Sequence, residues 1–426
     1  MFNYLYALSK KAKDHIGFRK YAKNTSWVLI GKFSTMAISF IATLYIARNL
    51  GPTNFGELSY AISFTGLFSF IASFGIDAVL YRELIKYPEL RQKLIGTAIF
   101  IKLCAGLAAM TLVITSAFLF SPKDVSFILV CVLSGSFIFN AFNSITTEFG
   151  AIVQNKGVSI VSIIVTFILN FAKILTMFLG GGVIYLAIIL LAESIMYAVA
   201  FLFLHTRTFG SLSQVSFDKK IARGLIYDAW PFILASACAV VYARIDQVML
   251  KNIIDATAVG LYDSAVRLTE LWYFIPTVIA GTLFPAIVLS RSHSSAVYKR
   301  RTFALFGLVL TIGIIITLLI YLFSAQIIHI IYGQSFNAAI PILQIYVWTI
   351  LPTFAIIVAN QILLAENARM LLFTSAALGM ATNVGGNLIL IPEYQAAGAA
   401  ISTLLSSSIV VVFIFTVYVY RRVKTV

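Results

Sequence analysis

Two stretches of this 426-residue chain place ionisable side chains inside long apolar runs. In YARIDQVML, Tyr242 to Leu250, Arg244 and Asp246 interrupt a run that begins at Ala229. Just beyond it, Asp263, Arg267 and Glu270 stand at i, i+4 and i+7, which is one face of a helix. An ionised group in hydrocarbon costs roughly 2.5–3.5 kcal/mol on insertion scales, so it turns toward a partner, a wet cavity or a substrate path. Two local readings compete with a functional one. Arg244 snorkels to the nearer membrane face while Asp246 caps or pairs locally, and the acid-base-acid ladder satisfies itself. On the functional reading the guanidinium forks are phosphate-binding groups, since their planar geometry offers two parallel hydrogen bonds.

Three further cations, Lys32, Lys102 and Lys173, lie in apolar runs with no acid close by in sequence. Lys32 and Lys173 are each about 9 Å from a span end and Arg244 about 10 Å, at 1.5 Å per helical residue. Unpaired cations facing a bundle interior would focus anions there. An anionic head group is the expected cargo, bound by Arg244 and Arg267 with Asp246 and Glu270 beside them. Tyr242, Tyr262, Trp272 and Tyr273 are either core or stacking surfaces for sugar rings near these charges.

The elements that must position these residues are membrane helices. The chain is 60% hydrophobic and only 11% charged, with mean hydropathy +0.96, whereas a soluble domain is about a quarter charged. Long apolar runs, not short alternating strands, indicate an all-α polytopic protein. Windows of about 20 residues give twelve spans: 26–47, 57–79, 94–119, 125–147, 157–179, 183–204, 225–249, 261–289, 302–324, 338–364, 370–391 and 396–420. The turns at Gly180-Gly181-Gly182 and Pro392 are short and nearly uncharged. Of the 31 Lys and Arg, 23 fall in the N-terminal tail, the even-numbered loops and the C-terminal tail. The odd-numbered loops hold only Arg48, Lys123 and Lys251. Both termini are therefore expected in the cytoplasm, and the net charge of +15 is a topology signal, with no nucleic-acid partner implied. The first apolar run is a full span and is expected to remain in the mature chain.

Trp27 and Trp230 each begin a span, and each is followed about thirty residues later by a glycine, Gly56 or Gly260. This weak repeat suggests two parallel six-helix halves: a bundle over 1–206, a linker over 207–223 and a bundle over 224–426. Pro276 and Pro285 in span 8, and Pro341 and Pro352 in span 10, remove backbone donors and favour bends. The histidines, His15, His205, His293 and His329, show no metal or catalytic spacing, and no nucleophile elbow or P-loop is present. Cys104, Cys131 and Cys238 lie in spans as apolar fillers. The chain is not expected to be an enzyme.

The motifs ARNLGPTNFGELSYA (47–61), YARIDQVML (242–250), VGLYDSAVRLTELWYFIP (259–276), FPAI (284–287), IYGQSF (331–336) and NVGGNLILIPEYQAAGAAIST (383–403) resemble those of the Wzx-type polysaccharide-repeat flippases. These belong to the MOP exporter superfamily, with the MATE drug exporters and the lipid II flippases. The resemblance implies a MATE-like pair of six-helix bundles around a central cationic cavity. It further implies transfer of undecaprenyl-pyrophosphate-linked oligosaccharide, an O-antigen or related repeat, from the cytoplasmic to the periplasmic leaflet of the bacterial inner membrane by alternating access. Arg48, Arg244, Asp246 and Arg267 match its motif positions. Lys32, Lys102 and Lys173 rest on the charge argument alone. Membrane lipid and polysaccharide polymerase machinery are the implied partners. No cofactor is expected, and coupling to H+ or Na+ stays open. A MATE-type cation-coupled drug exporter is the alternative, although it would favour an acidic cavity; a membrane polymerase or ligase would need a large extramembrane loop. With cytoplasmic termini, a fluorescent protein fused after Val426 fluoresces and alkaline phosphatase fused there is inactive; the opposite pair of results reverses the topology.

Overall fold

The computed structural model describes residues 16–120, 124–210, 216–291, 294–366 and 368–423. Lys123, His15, His293 and residues 211–215 of the expected linker lie outside the described residues, as do the side chains of Phe284, Pro285 and Ala286. Among the described residues the chain is almost entirely helical and has no strand. Nine helices among the described residues are long and apolar enough to cross a membrane. The protein is a multi-pass membrane protein.

Two of those nine contain a reversal in backbone geometry. Helix α1 (Ile16–Gly66) is interrupted at Gly51, whose φ of 72° lies in the left-handed region where glycine is unstrained. The last helix is interrupted at Gln395, three residues after Pro392. Within the expected span 8 the helix is interrupted by a 3-10 turn at Leu271–Tyr273.

By contacts the chain forms two compact units, residues 1–46 with 68–233, and residues 47–67 with 234–426. The division therefore falls inside a helix at Ile233, not in the segment 207–223, and the second leg of α1 belongs with the second unit. Composition marks a linker by its charge, but contacts follow the glycines and acids described below.

The first unit contains α2 (Ser69–Ser73), α3 (Ile76–Lys86), α4 (Arg91–Phe120), α5 (Val125–Ser134), α6 (Ser136–Phe139), α7 (Ser144–Ala151), α8 (Lys156–Phe178) and α9 (Val183–Phe209). It also contains the start of α10 (Lys219–Ile253). Ile76, Leu80, Ile95, Ile145, Phe201, Leu225 and Ala229 share one apolar core, which fixes the start of α10 to this unit. Asp218 begins α10: its carboxylate accepts from the backbone N–H of Lys220 (2.8 Å) and Ile221 (3.2 Å). Those donors, Ile221 foremost, hold the carboxyl below the usual carboxylate range.

The second unit adds α11 (Ala256–Glu270), α12 (Phe274–Arg291), α13 (Ser295–Leu322), α14 (Ser324–Ile331), α15 (Ala339–Tyr346), α16 (Ile350–Ala365) and α17 (Arg369–Val423). The expected bends are realised as interruptions followed by proline. Pro276, Pro341 and Pro352 each sit in the first turn of a new helix, α12, α15 and α16, where the missing N–H costs nothing.

The glycines of the apparent repeat are packing partners of each other. A Cβ on Gly56 would lie 1.7 Å from the Ala256 carbonyl oxygen, and one on Gly260 would lie 2.0 Å from that of Pro52. Only two glycines let the second leg of α1 and helix α11 cross so closely. Asp255 caps α11 at the same place by accepting from the Ala258 N–H at 2.7 Å. Substituting Gly56→Ala or Gly260→Ala forces the two backbones apart and is expected to cost at least about 1–3 kcal/mol. A lower thermal unfolding midpoint of the purified protein checks this, and an unchanged midpoint contradicts it.

Candidate substrate-binding site

The second unit gathers most of the charged positions singled out in the sequence. Asp263 is buried, with its Oδ2 accepting from Arg267 Nε at 2.6 Å and from the Ser59 hydroxyl at 2.7 Å. Arg267 also lies over the Phe55 ring, 5.5 Å from its centroid. The Thr53–Thr257 hydrogen bond (2.9 Å) ties the same two segments together, and the Glu57–Lys251 ion pair ties the second leg of α1 to the end of α10. The i, i+4 half of the ladder is thus closed locally, as the bland reading had it, and clamps α11 to the second leg of α1.

Arg244 and Glu270 differ. Both are half-buried, and each exerts its charge on the other through space. Among the described residues, neither makes an ion pair or a side-chain hydrogen bond. Arg244 Cγ would stand 3.9 Å from a Cβ on Gly66, so the small residue leaves room beside the arginine.

Among the described residues Asp246, expected on the local reading to cap or pair nearby, meets no base. It is buried and accepts hydrogen bonds from the Tyr262 hydroxyl, from Asn387 Nδ2 at 2.6 Å and from the Thr403 hydroxyl at 2.7 Å. Asn383 joins through Asn387 (3.3 Å) and Thr403 (3.4 Å). Three helices contribute: α10, α11 and both legs of α17. Glycine again permits the approach, because a Cβ on Gly386 would be 2.5 Å from the Ser402 hydroxyl oxygen and one on Gly398 would be 2.1 Å from the Leu390 carbonyl oxygen. Asn387 Oδ1 is buried without a hydrogen-bond partner among the described residues. Asn383, Asn387 and Thr403 were missed from sequence, although two amides four residues apart in an apolar span, NVGGN, were a visible signal.

Arg48 is exposed and donates from Nη1 to the Ile330 carbonyl at 3.2 Å, beside Gly333. It joins ARNLGP to IYGQSF and stands apart from the Asp246 nest.

In the first unit the expectation of unpaired cations needs correction. The buried Lys102 ammonium donates to Asp77 at 2.5 Å, and Lys173 donates to Glu193 at 2.7 Å. Their partners are 25 and 20 residues away in sequence, on other helices. Lys32 is exposed and makes no ion pair among the described residues. Glu148 is buried against His205 Nδ1 at 2.7 Å, with Arg91 Nε at 3.4 Å. Among the described residues no group of three or more His, Cys, Asp or Glu could hold a metal ion.

The chain's helices are broken at glycine and beside proline, and buried polar residues join them. The fold is that of the MATE and MurJ exporters. It aligns with an inward-facing multidrug resistance MATE transporter at TM-score 0.71 and 12% identity, covering 92% of this chain and 95% of that one. It aligns equally well with the lipid II flippase MurJ in an inward closed conformation, at TM-score 0.71 and 17% identity, over 91% of this chain and 87% of that one. The family model described as polysaccharide biosynthesis protein matches residues 21–293, and the chain belongs to that family. It is also similar to the Probable low-salt glycan biosynthesis flippase Agl15 of Haloferax volcanii, 22% identical over 399 residues, 91% of this chain and 81% of the relative. These relatives are transporters, not enzymes.

The Asp263–Arg267 pair predicts a sign reversal. Arg267→Met leaves a buried carboxylate without its cation and is expected to cost about 2–4 kcal/mol. Adding Asp263→Leu to it removes the orphan and should recover most of that loss; a double variant no more stable than the single one contradicts the assignment.

Proposed function

We propose that the chain is a flippase for undecaprenyl-pyrophosphate-linked oligosaccharide, moving it from the cytoplasmic to the periplasmic leaflet of the bacterial inner membrane. On this reading it has twelve spans in two bundles, both termini in the cytoplasm, and alternates access between the two sides. Membership of the polysaccharide biosynthesis family supports the glycan cargo, and likeness to a glycan biosynthesis flippase supports the transport step.

One observation carries the diphosphate assignment: the Arg244 guanidinium is half-buried and unclaimed by any side chain among the described residues. Holding a cation there without a partner is expensive unless a ligand or water completes it. A diphosphate oxygen pair matches its fork. Arg267 is committed to Asp263, and Lys102 and Lys173 to their own acids, so the cationic character narrows to Arg244, with Lys32 as the other uncommitted amine. The polyprenyl tail stays in lipid while the hydrated glycan avoids hydrocarbon, which would cost several kcal/mol for each unmet polar group. Polymerase machinery would receive the exported unit.

The nest around Asp246 is where a coupling ion, H+ or Na+, would act. A carboxylate, the partnerless Asn387 Oδ1 and the Thr403 hydroxyl form an all-oxygen donor set, which suits a hard cation. Tyr262 and Asn383 would hold that set in place.

Replacing Arg244 with Ala removes charged hydrogen bonds worth about 2–3 kcal/mol, hence about 30- to 150-fold in affinity. Surface glycan should fall accordingly, lipid-linked oligosaccharide should accumulate by mass spectrometry, and the protein should remain in the membrane. Normal export by this variant would remove the diphosphate assignment.

A further inference from the structure

The first unit has a cavity of its own, about 460 Å³, between the turn Asn140–Asn143 with α7 on one side and α9 on the other. That size lies within the usual range for small-molecule pockets. Residues 125–151 are apolar enough for one unbroken span. The α-helix is nonetheless interrupted at Gly135 and replaced by a 3-10 turn at Asn140–Asn143. Irregular backbone within a span persists only inside protein or along a water-filled space. Here it borders the cavity.

The lining is polar but electrically balanced. Glu193 gives one oxygen to the Lys173 ammonium, which neutralises it, and its other oxygen has no donor among the described residues. The Ser194 hydroxyl and the Asn140 amide nitrogen likewise lack partners among the described residues, while Asn140 Oδ1 accepts only a long contact, 3.5 Å, from Asn143. Half-buried Tyr197 supplies an aromatic wall, backed at 5.6 Å and 25° by Phe201, which is itself buried in the core. Amides, hydroxyls and a shared carboxylate can each meet a hydroxyl that both donates and accepts. The ring faces suit the apolar face of a pyranose. A phosphate would find no spare cation here, and a cationic drug would find the carboxylate already taken.

We propose that this cavity is a carbohydrate subsite, taking an uncharged sugar residue of the cargo; this rests on the flippase reading above. Asn140, Ser194 and Glu193 hydrogen-bond the ring hydroxyls, and Tyr197, held by Phe201 behind it, packs against the ring. The diphosphate belongs to Arg244 in the other unit.

The test uses the full chain in lipid nanodiscs, with no glycoside detergent to compete. Its thermal unfolding midpoint is followed against glucose, galactose and N-acetylglucosamine, and separately against inorganic pyrophosphate. At least one sugar should raise the midpoint saturably. Asn140→Ala and Ser194→Ala should each raise that sugar's half-saturating concentration about tenfold and leave the pyrophosphate response as it was. Arg244→Ala should do the reverse. If Asn140→Ala disturbs the fold, and with it the pyrophosphate response, Ser194→Ala decides alone, since it deletes a single oxygen. The subsite is overturned if no sugar stabilises the protein, or if sugar stabilises both variants as well as the parent. Loss of the pyrophosphate response with the sugar response intact overturns only the Arg244 assignment.

Discussion

A charge taken out of water into a helix bundle costs several kcal/mol unless a counter-charge and hydrogen bonds meet it there. In this chain the counter-charges come mostly from other helices: Asp77 for Lys102, Glu193 for Lys173 and Glu57 for Lys251. Such pairs add little net stability against an apolar replacement, because their attraction mainly offsets their own desolvation. They do specify register: sliding one helix past another by a turn would leave a buried charge alone. The requirement therefore fixes helix positions more sharply than apolar packing, for which one Leu is nearly as good as another.

Pairing at hydrogen-bond distance demands helices close enough to touch, and small residues supply that closeness. Gly56 against Gly260, Gly106 against the Phe137 carbonyl and Gly398 against the Leu390 carbonyl all occupy places a Cβ would fill. Helix association in lipid relies on such contacts, since apolar side chains gain no hydrophobic advantage over lipid tails. At Gly56 and Gly260 the close crossing brings Glu57 to Lys251 and Ser59 to Asp263. Packing and charge pairing are here one device.

The membrane class and many span edges were legible in the sequence because hydropathy is a sum over twenty residues and tolerates local error. The chain turns at Gly180–Gly182 and breaks near Pro392 where the apolar runs suggested. Hydropathy gives 57–79 as one span, yet α1 ends at Gly66 and α2 stops at Phe74 and Gly75, both with positive φ. Single-residue backbone geometry leaves no trace in a window average. The candidate charges were legible for the same reason hydropathy was, as interruptions of apolar runs. Their partners were not. Nothing local to Asp246 points to Asn387 or Thr403, 141 and 157 residues away, and nothing local to Lys102 separates a free cation from a paired one. The repeat of Gly56 and Gly260 was seen, but its meaning as a contact required the fold.

The two carboxylates of the second unit show how partner type separates roles that sequence leaves equal. Asp263 meets a guanidinium and a hydroxyl, so its charge is compensated and gains nothing from a further cation. Asp246 meets only neutral donors, which stabilise an ionised carboxylate without cancelling its field. On the coupling-ion proposal, a small cation at Asp246 would gain a Coulomb attraction that the neutral donors leave uncancelled, and its departure would leave a carboxylate still hydrogen-bonded by Asn387, Thr403 and Tyr262. Those donors sit on α11 and on both legs of α17, so the nest ties these helices to α10, whereas Asp263, compensated by Arg267, ties α11 to the second leg of α1 through Ser59.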